Sequence, residues 1–235
     1  MHSHDTKMTA VAQYPMLIAT LGILLFSMMD AVMKGQALAM GTYSAMFWRM
    51  AMGALLVAVL YLPTQPVPAS GKVLRIHIIR AALTAVMAYL FFFGLTRIPL
   101  AQAIGLSFIA PIITLFLAVP ILGERIGANA KLAAVLGFGG VLVVVGGELL
   151  ALDSGSDLLG MTAVLVSAVM YAFNLVLQRM QALIAQPLEI AFYQNVIVFL
   201  LLLVGVPFAV TWPTSAVQWG GAALAAALAV TSLML

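Results

Sequence analysis

PLAQAIGLSFIAPIITLFLAVPILGERIGANAKLAAVLGFGGVLVVVGG, residues 99–147, is the stretch that decides the fold. It reads as two membrane-spanning helices joined by a short charged turn. Leu100 to Leu122 exceeds the roughly 20 apolar residues that cross a hydrocarbon core of about 30 Å. Its polar side chains are Gln102, Ser107 and Thr114, and none of them is charged. Pro111 falls near the middle, where a proline removes one ladder hydrogen bond and bends a helix. The run Gly123-Glu124-Arg125-Ile126-Gly127 ends that span, and Asn129 is of the right type to cap the next one. The second span, Lys131 to Gly147, carries Gly137, Gly139, Gly140, Gly146 and Gly147, small residues that let helix backbones come close.

Composition extends this reading to the whole chain. Hydrophobic residues make up 65% of the 235 and charged residues 7%, and the mean hydropathy is +1.18. No soluble fold could cover such a surface with polar groups. The expected class is all-α, a polytopic membrane helix bundle surrounded by lipid. With no cysteine in the chain, disulfides, zinc–thiolate sites and cysteine nucleophiles are excluded. The net charge of +3 is spread over short loops rather than gathered in one patch, which argues against nucleic acid as a partner. His2 and His4 lie on a polar tail, where two histidines are more often without a role than a metal-binding tip, so no metal site or other cofactor is expected. That tail lacks a basic n-region and a small-residue cleavage site, so it does not read as a cleaved signal peptide.

Eight apolar spans can be drawn, at roughly 15–34, 42–62, 77–96, 100–122, 130–147, 158–178, 188–210 and 217–235. Placing the amino terminus in the cytoplasm collects Lys7, Lys72, Arg75, Arg80, Arg125, Lys131 and Arg179 on the inner side. Lys34 and Arg97 fall outside. Tyr14 and Tyr61 at the inner face, and Trp212 and Trp219 at the outer, are suited to anchor the interfaces. The expected location is the plasma (inner) membrane, with the amino terminus cytoplasmic.

An internal repeat is visible. Leu24–Lys34 (LLFSMMDAVMK) aligns with Ala168–Gln178 (AVMYAFNLVLQ), and Met46–Arg49 (MFWR) with Ala191–Gln194 (AFYQ). Asp30 then meets Asn174, and Arg49 meets Gln194. Five helices separate the copies, so the second enters the membrane from the opposite side, as in inverted-repeat transporters.

The mid-helix Pro111, the Leu122–Ile126 turn LGERI and the glycine-rich helix after it, in that order and spacing, resemble the EamA domain of the drug/metabolite transporter superfamily. The resemblance implies ten helices in two five-helix halves. Residues 14–147 would form the first half and 158–235 an incomplete second half of three helices, so a chain truncated at its carboxy-terminal end is expected. It also implies a secondary transporter that moves a small polar organic metabolite (amino acid, vitamin or nucleotide-derived compound), usually outward, across a bacterial plasma membrane by alternating access. A non-transporting scaffold or receptor subunit, or an inactive truncated copy, is the alternative, and a homodimer is a candidate assembly. No HExxH, GxSxG or Walker pattern is present, so neither catalysis nor direct use of ATP is expected.

Charge inside a span marks the candidate site. An ionised side chain in mid-membrane costs about 2.5 kcal/mol or more, so it should face the bundle or water and find a partner. Measured from Lys34, Asp30 is about 6 Å deep, and Arg49 lies about 10 Å along span two. Two readings follow: an Asp30–Arg49 pair lining a substrate cavity, or Asp30 paired with Lys34 while Arg49 snorkels to headgroups. Asp30 is also the carboxylate available to couple a proton. Tyr89 and Phe108 are candidates to stack on a flat substrate. Gln102, Ser107 and Thr114 could present hydrogen-bonding groups, with Pro111 at a break lining the cavity. Asn174, Gln178 and Gln194 are the amide candidates of the second half.

Overall fold

The computed structural model describes residues 15–64, 67–122, 127–150 and 157–234, and these are helical, without strands. The helices are α1 (Pro15–Met40), α2 (Thr42–Tyr61, continued by a 3-10 turn, Leu62–Thr64), α3 (Gly71–Leu95), α4 (Leu100–Ser107), α5 (Ile109–Leu122), α6 (Ala128–Leu150), α7 (Leu158–Ala182), α8 (Pro187–Leu203), α9 (Val206–Ala209) and α10 (Ala216–Met234). Among the described residues six segments are long and apolar enough to cross a membrane: 17–40, 42–64, 71–95, 100–117, 158–182 and 216–234. The expected spans at 130–147 and 188–210 correspond to α6 and to the shorter α8, which has 17 residues. The chain is a multi-pass helical membrane protein. The Glu124–Arg125 turn, the tail with His2 and His4, and Tyr14 lie outside the described residues, as does the side chain of Asn129.

Two interruptions have local causes. At the α1–α2 corner the Gly41 amide donates to the Ala37 carbonyl at 2.9 Å, and the Gly41 carbonyl accepts from Ala45 at 3.0 Å. One residue thus closes one helix and opens the next. It does so at φ 84°, in the left-handed region that favours glycine. The break of the fourth span lies at Phe108, upstream of Pro111. Pro111 has no N–H to offer the Ser107 carbonyl, and its ring crowds that same carbonyl four residues back, so α4 ends at Ser107. Pro111 itself occupies the first turn of α5, where an N–H would have no partner within the helix.

The bundle is held by three main pairings: α3 on α7, α1 on α10 and α2 on α8. Secondary contacts join α3 to α8, α2 to α10 and α5 to α7, while α6 packs on α4 and α5. The core between them holds Met29, Met33, Met46, Met50, Phe92, Leu106 and Val164. Methionine's flexible thioether fills the irregular gaps left by helices crossing around polar side chains.

Close helix approach occurs at other glycines than those of α6. A Cβ on Gly94 would collide with Val164 and Gly160 across the α3–α7 contact, one on Gly160 with Arg97 in the turn after α3, and one on Gly221 with Gln36 across α1–α10. At Gly137, Gly139, Gly140, Gly146 and Gly147 no described atom lies within 4 Å of that position. Those glycines therefore do not serve the close packing expected of them among the described residues.

Candidate functional site

Asp30 and Arg49 both lie in the interior, 5% and 7% exposed. Lys34 does not end the first span. Its Nζ donates to the Ile98 carbonyl at 2.8 Å, and α1 continues to Met40. Asp30 is therefore about 15 Å from the end of its helix rather than 6 Å, and Lys34 is engaged elsewhere. Arg49 stays in the core and does not reach the headgroups. Its Nη2 meets Met50 Sδ at 3.8 Å, its Cζ lies 6.0 Å from the Phe92 ring centroid, and Nε has no hydrogen-bond partner among the described residues. Asp30 Oδ1 is likewise buried and unpartnered. The two side chains feel each other's charge but form no ion pair within 4.0 Å. Gln194 Nε2 and Gln36 Oε1 are further unpartnered buried atoms, so α1, α2 and α8 together present open donors and acceptors to the interior.

A second polar cluster is joined by side-chain hydrogen bonds at all of its members, with His77 Nε2 its one buried atom lacking a hydrogen-bond partner among the described residues, and most of it was not legible in the sequence. Arg80, expected among the inner-face charges, is 4% exposed, about 13 Å into α3. Its Nε donates to Asn174 Oδ1 at 3.1 Å and its Nη1 to Gln181 Oε1 at 2.7 Å. Asn174 Nδ2 donates to Thr84 Oγ1 at 2.5 Å, and Gln181 Nε2 contacts His77 Nδ1 at 2.8 Å. His77 Nε2 lies 3.4 Å from Glu189 Oε1, and the His77 ring stacks on Tyr193 with centroids 4.6 Å apart. The signal was the spacing: His77, Arg80 and Thr84 recur at i, i+3 and i+7 on α3, and Asn174 and Gln181 lie two turns apart on α7.

The remaining candidates divide. Tyr89, 39% exposed, meets Tyr43 edge-on at 6.5 Å and stacks on Phe93 at 6.3 Å. Phe108 and Pro111 are exposed, whereas Gln102 is buried on α4. Ser107 Oγ donates to the Ala103 carbonyl in its own helix at 2.8 Å. Thr114 Oγ1 bonds the Ala110 carbonyl at 2.8 Å and reaches Ala172 on α7 at 3.3 Å. Gln178 is half-buried, and the amide that joins the network is Gln181.

The end of the bundle where α1 meets α2 is bridged by side-chain contacts. Trp48 Nε1 donates to the Thr211 carbonyl at 2.9 Å, and its ring packs against Trp212 and Trp219, each at 4.8 Å. The Thr211 amide donates to Ser44 Oγ at 2.9 Å. Arg97 Nη1 pairs with Asp157 Oδ2 at 2.7 Å, and Asp157 caps α7 through the Gly160 amide at 2.9 Å. The Arg97 guanidinium, with that amide, holds the Asp157 carboxyl below the usual carboxylate range.

Two comparisons bear on this arrangement, and no curated protein matches the chain. A solved structure described as "Crystal structure of protein" superposes with a TM-score of 0.65 at 20% sequence identity, covering 93% of this chain and 77% of that one. The two chains share a fold. The family of EamA-like transporters matches residues 13–146, from before α1 into the glycine-rich α6. With more than half of its length inside that match, the chain belongs to the EamA-like transporter family.

Proposed function

We propose that this protein is a secondary transporter that moves a small polar organic metabolite across a bacterial plasma membrane by alternating access, in the export direction and with its amino terminus in the cytoplasm. One observation carries the reading: two oppositely charged side chains, Asp30 and Arg49, are buried in mid-bundle with open hydrogen-bonding atoms and no contact between them. A buried charge without a partner is costly, and a polar substrate seated between the two would satisfy both. Asp30 is also the candidate for proton coupling.

We read the packing as part of an inverted five-plus-five repeat. Exchanging α1, α2 and α3 with α7, α8 and α10 turns the α3–α7 contact into α10–α1, and α3–α8 into α10–α2. It leaves α2–α8 unchanged. Such a pseudo-twofold arrangement supplies two related conformations, one open to each side, without new contacts having to be invented.

Inside-out vesicles carrying the chain, offered radiolabelled amino acids, vitamins and nucleosides in turn, test the proposal. Accumulation of one class, lost in Asp30→Asn, is the expected result. Vesicles that accumulate nothing beyond empty controls would favour a non-transporting role. Orientation is read in intact cells, where Gly71→Cys, in this cysteine-free chain, should resist an impermeant thiol reagent.

A further inference from the structure

We infer that His77 is a proton-binding site linked through the Gln181 amide to Arg80, so that a proton on His77 and the Arg80–Gln181 hydrogen bond exclude one another. The argument starts from donor inventory. A guanidinium has donors only, so the Gln181 atom 2.7 Å from Arg80 Nη1 must be the carbonyl oxygen. This fixes the other end of the amide as the NH2 group facing His77 Nδ1 at 2.8 Å. A donor there requires Nδ1 to be an acceptor, so His77 is neutral with its hydrogen on Nε2, on the side of Glu189 at 3.4 Å.

Adding a proton to Nδ1 sets two donors against each other. Gln181 can accept from the imidazolium only by turning its amide. The turn then aims its NH2 at Arg80 Nη1, donor against donor, and the Arg80–Gln181 bond is lost. Arg80 keeps Asn174 but is freed at its outer nitrogen, at the pairing of α3 with α7. The groups around His77 are Glu189 and Tyr193 on α8, Tyr61 on α2 beside those two, and Arg80 on α3 itself. Tyr171 on α7 lies near enough to Arg80 and to Asp30 of α1 to feel both charges. Glu189 is the partly exposed member, its side chain 20% accessible, and it faces the Nε2–H that His77 keeps in both protonation states. The inference does not rest on transport, because it concerns the protonation of one imidazole.

The test is two-bond 1H–15N correlation of the full chain in detergent, labelled at histidine, with three histidines to assign. At neutral pH the wild type should give His77 as the neutral Nε2–H form. On acidification the Gln181 side-chain amide signals should move in step with the imidazole. Gln181→Glu offers a carboxylate that accepts from Arg80 and from an imidazolium together, so His77 should be doubly protonated at neutral pH. Arg80→Met frees the amide to turn, and neutral His77 should then populate both tautomers. A wild-type His77 in the Nδ1–H form overturns the inference, as does a neutral His77 in Gln181→Glu. In Arg80→Met, retention of the single Nε2–H tautomer would mean that Arg80 acts only as a charge and does not set the amide. Should that variant fail to fold, the isosteric Gln181→Glu decides alone.

Discussion

Among the described residues two arginines are buried in this bundle, and their surroundings are opposite in kind. Arg80 lies among amide oxygens, with Asn174 and Gln181 accepting from it on α7. Arg49 has a thioether at 3.8 Å, the Phe92 ring and an Nε that bonds nothing described. Both are inside helices and almost equally inaccessible, so burial does not distinguish them. The partner inventory does. A charge that finds acceptors on a neighbouring helix belongs to the packing, whereas one left open is available to something that arrives later. That contrast underlies the proposal that the Asp30–Arg49 region receives the substrate, while Arg80 holds α3 to α7.

The contrast breaks first at Arg80. Arg80→Met removes two charge-assisted hydrogen bonds and leaves two buried amide oxygens unsatisfied, so stability should fall by about 3 kcal/mol. Thermal unfolding in detergent measures it, and a variant as stable as the wild type would make Arg80 no different from Arg49. A smaller change is expected at the open site. Asp30→Asn and Arg49→Gln should each lower stability or transport. The double variant should recover folding better than Arg49→Gln alone, since Asn174 and Gln194 are an amide combination at the repeat-related positions. A double-mutant cycle should return a coupling of about 1 kcal/mol; zero would mean the two charges are independent.

Pro111→Ala sharpens the comparison by altering the backbone rather than a charge. It restores an N–H facing the Ser107 carbonyl and should join α4 to α5. Stability should change by less than about 1 kcal/mol, while transport should fall much further; unchanged transport would remove the break from the mechanism.

The smallest effect is expected at the exposed pair, Arg97–Asp157. The Asp157 pKa is depressed in the folded state. Its contribution is therefore present above the unfolded value, and is lost as pH falls through the lower folded one. Unfolding temperatures of the wild type and Asp157→Asn should differ slightly at neutral pH and converge in acid. Divergence in acid would reverse the sign.

Legibility differed between these regions for a physical reason. Asp30 and Arg49 stood out because a charge inside an apolar run is costly wherever the helix packs. Arg80, in a run just as apolar, sat close enough to Lys72 and Arg75 to be counted with the surface charges. Its partners lie 94 and 101 residues away. His77 showed no carboxylate near it in sequence, and Glu189 arrives from another helix. The break of the fourth span was legible from Pro111, but its position three residues upstream follows from where a proline ring meets the preceding turn.

The sequence by itself determined the class of this protein, its all-helical character, the family and the burial of Asp30 and Arg49. Those are local properties, set by the hydropathy of runs about 20 residues long and by the cost of a charge in lipid. Which charges are satisfied and which are left open was decided only by the tertiary structure. Lys34 turned to the Ile98 carbonyl instead of Asp30, close packing fell to Gly94, Gly160 and Gly221 instead of the glycines of α6, and Arg80 found its acceptors on α7. A hydrogen bond requires atoms to meet within about 3 Å, and helices brought together from distant parts of the chain meet only where their packing puts them.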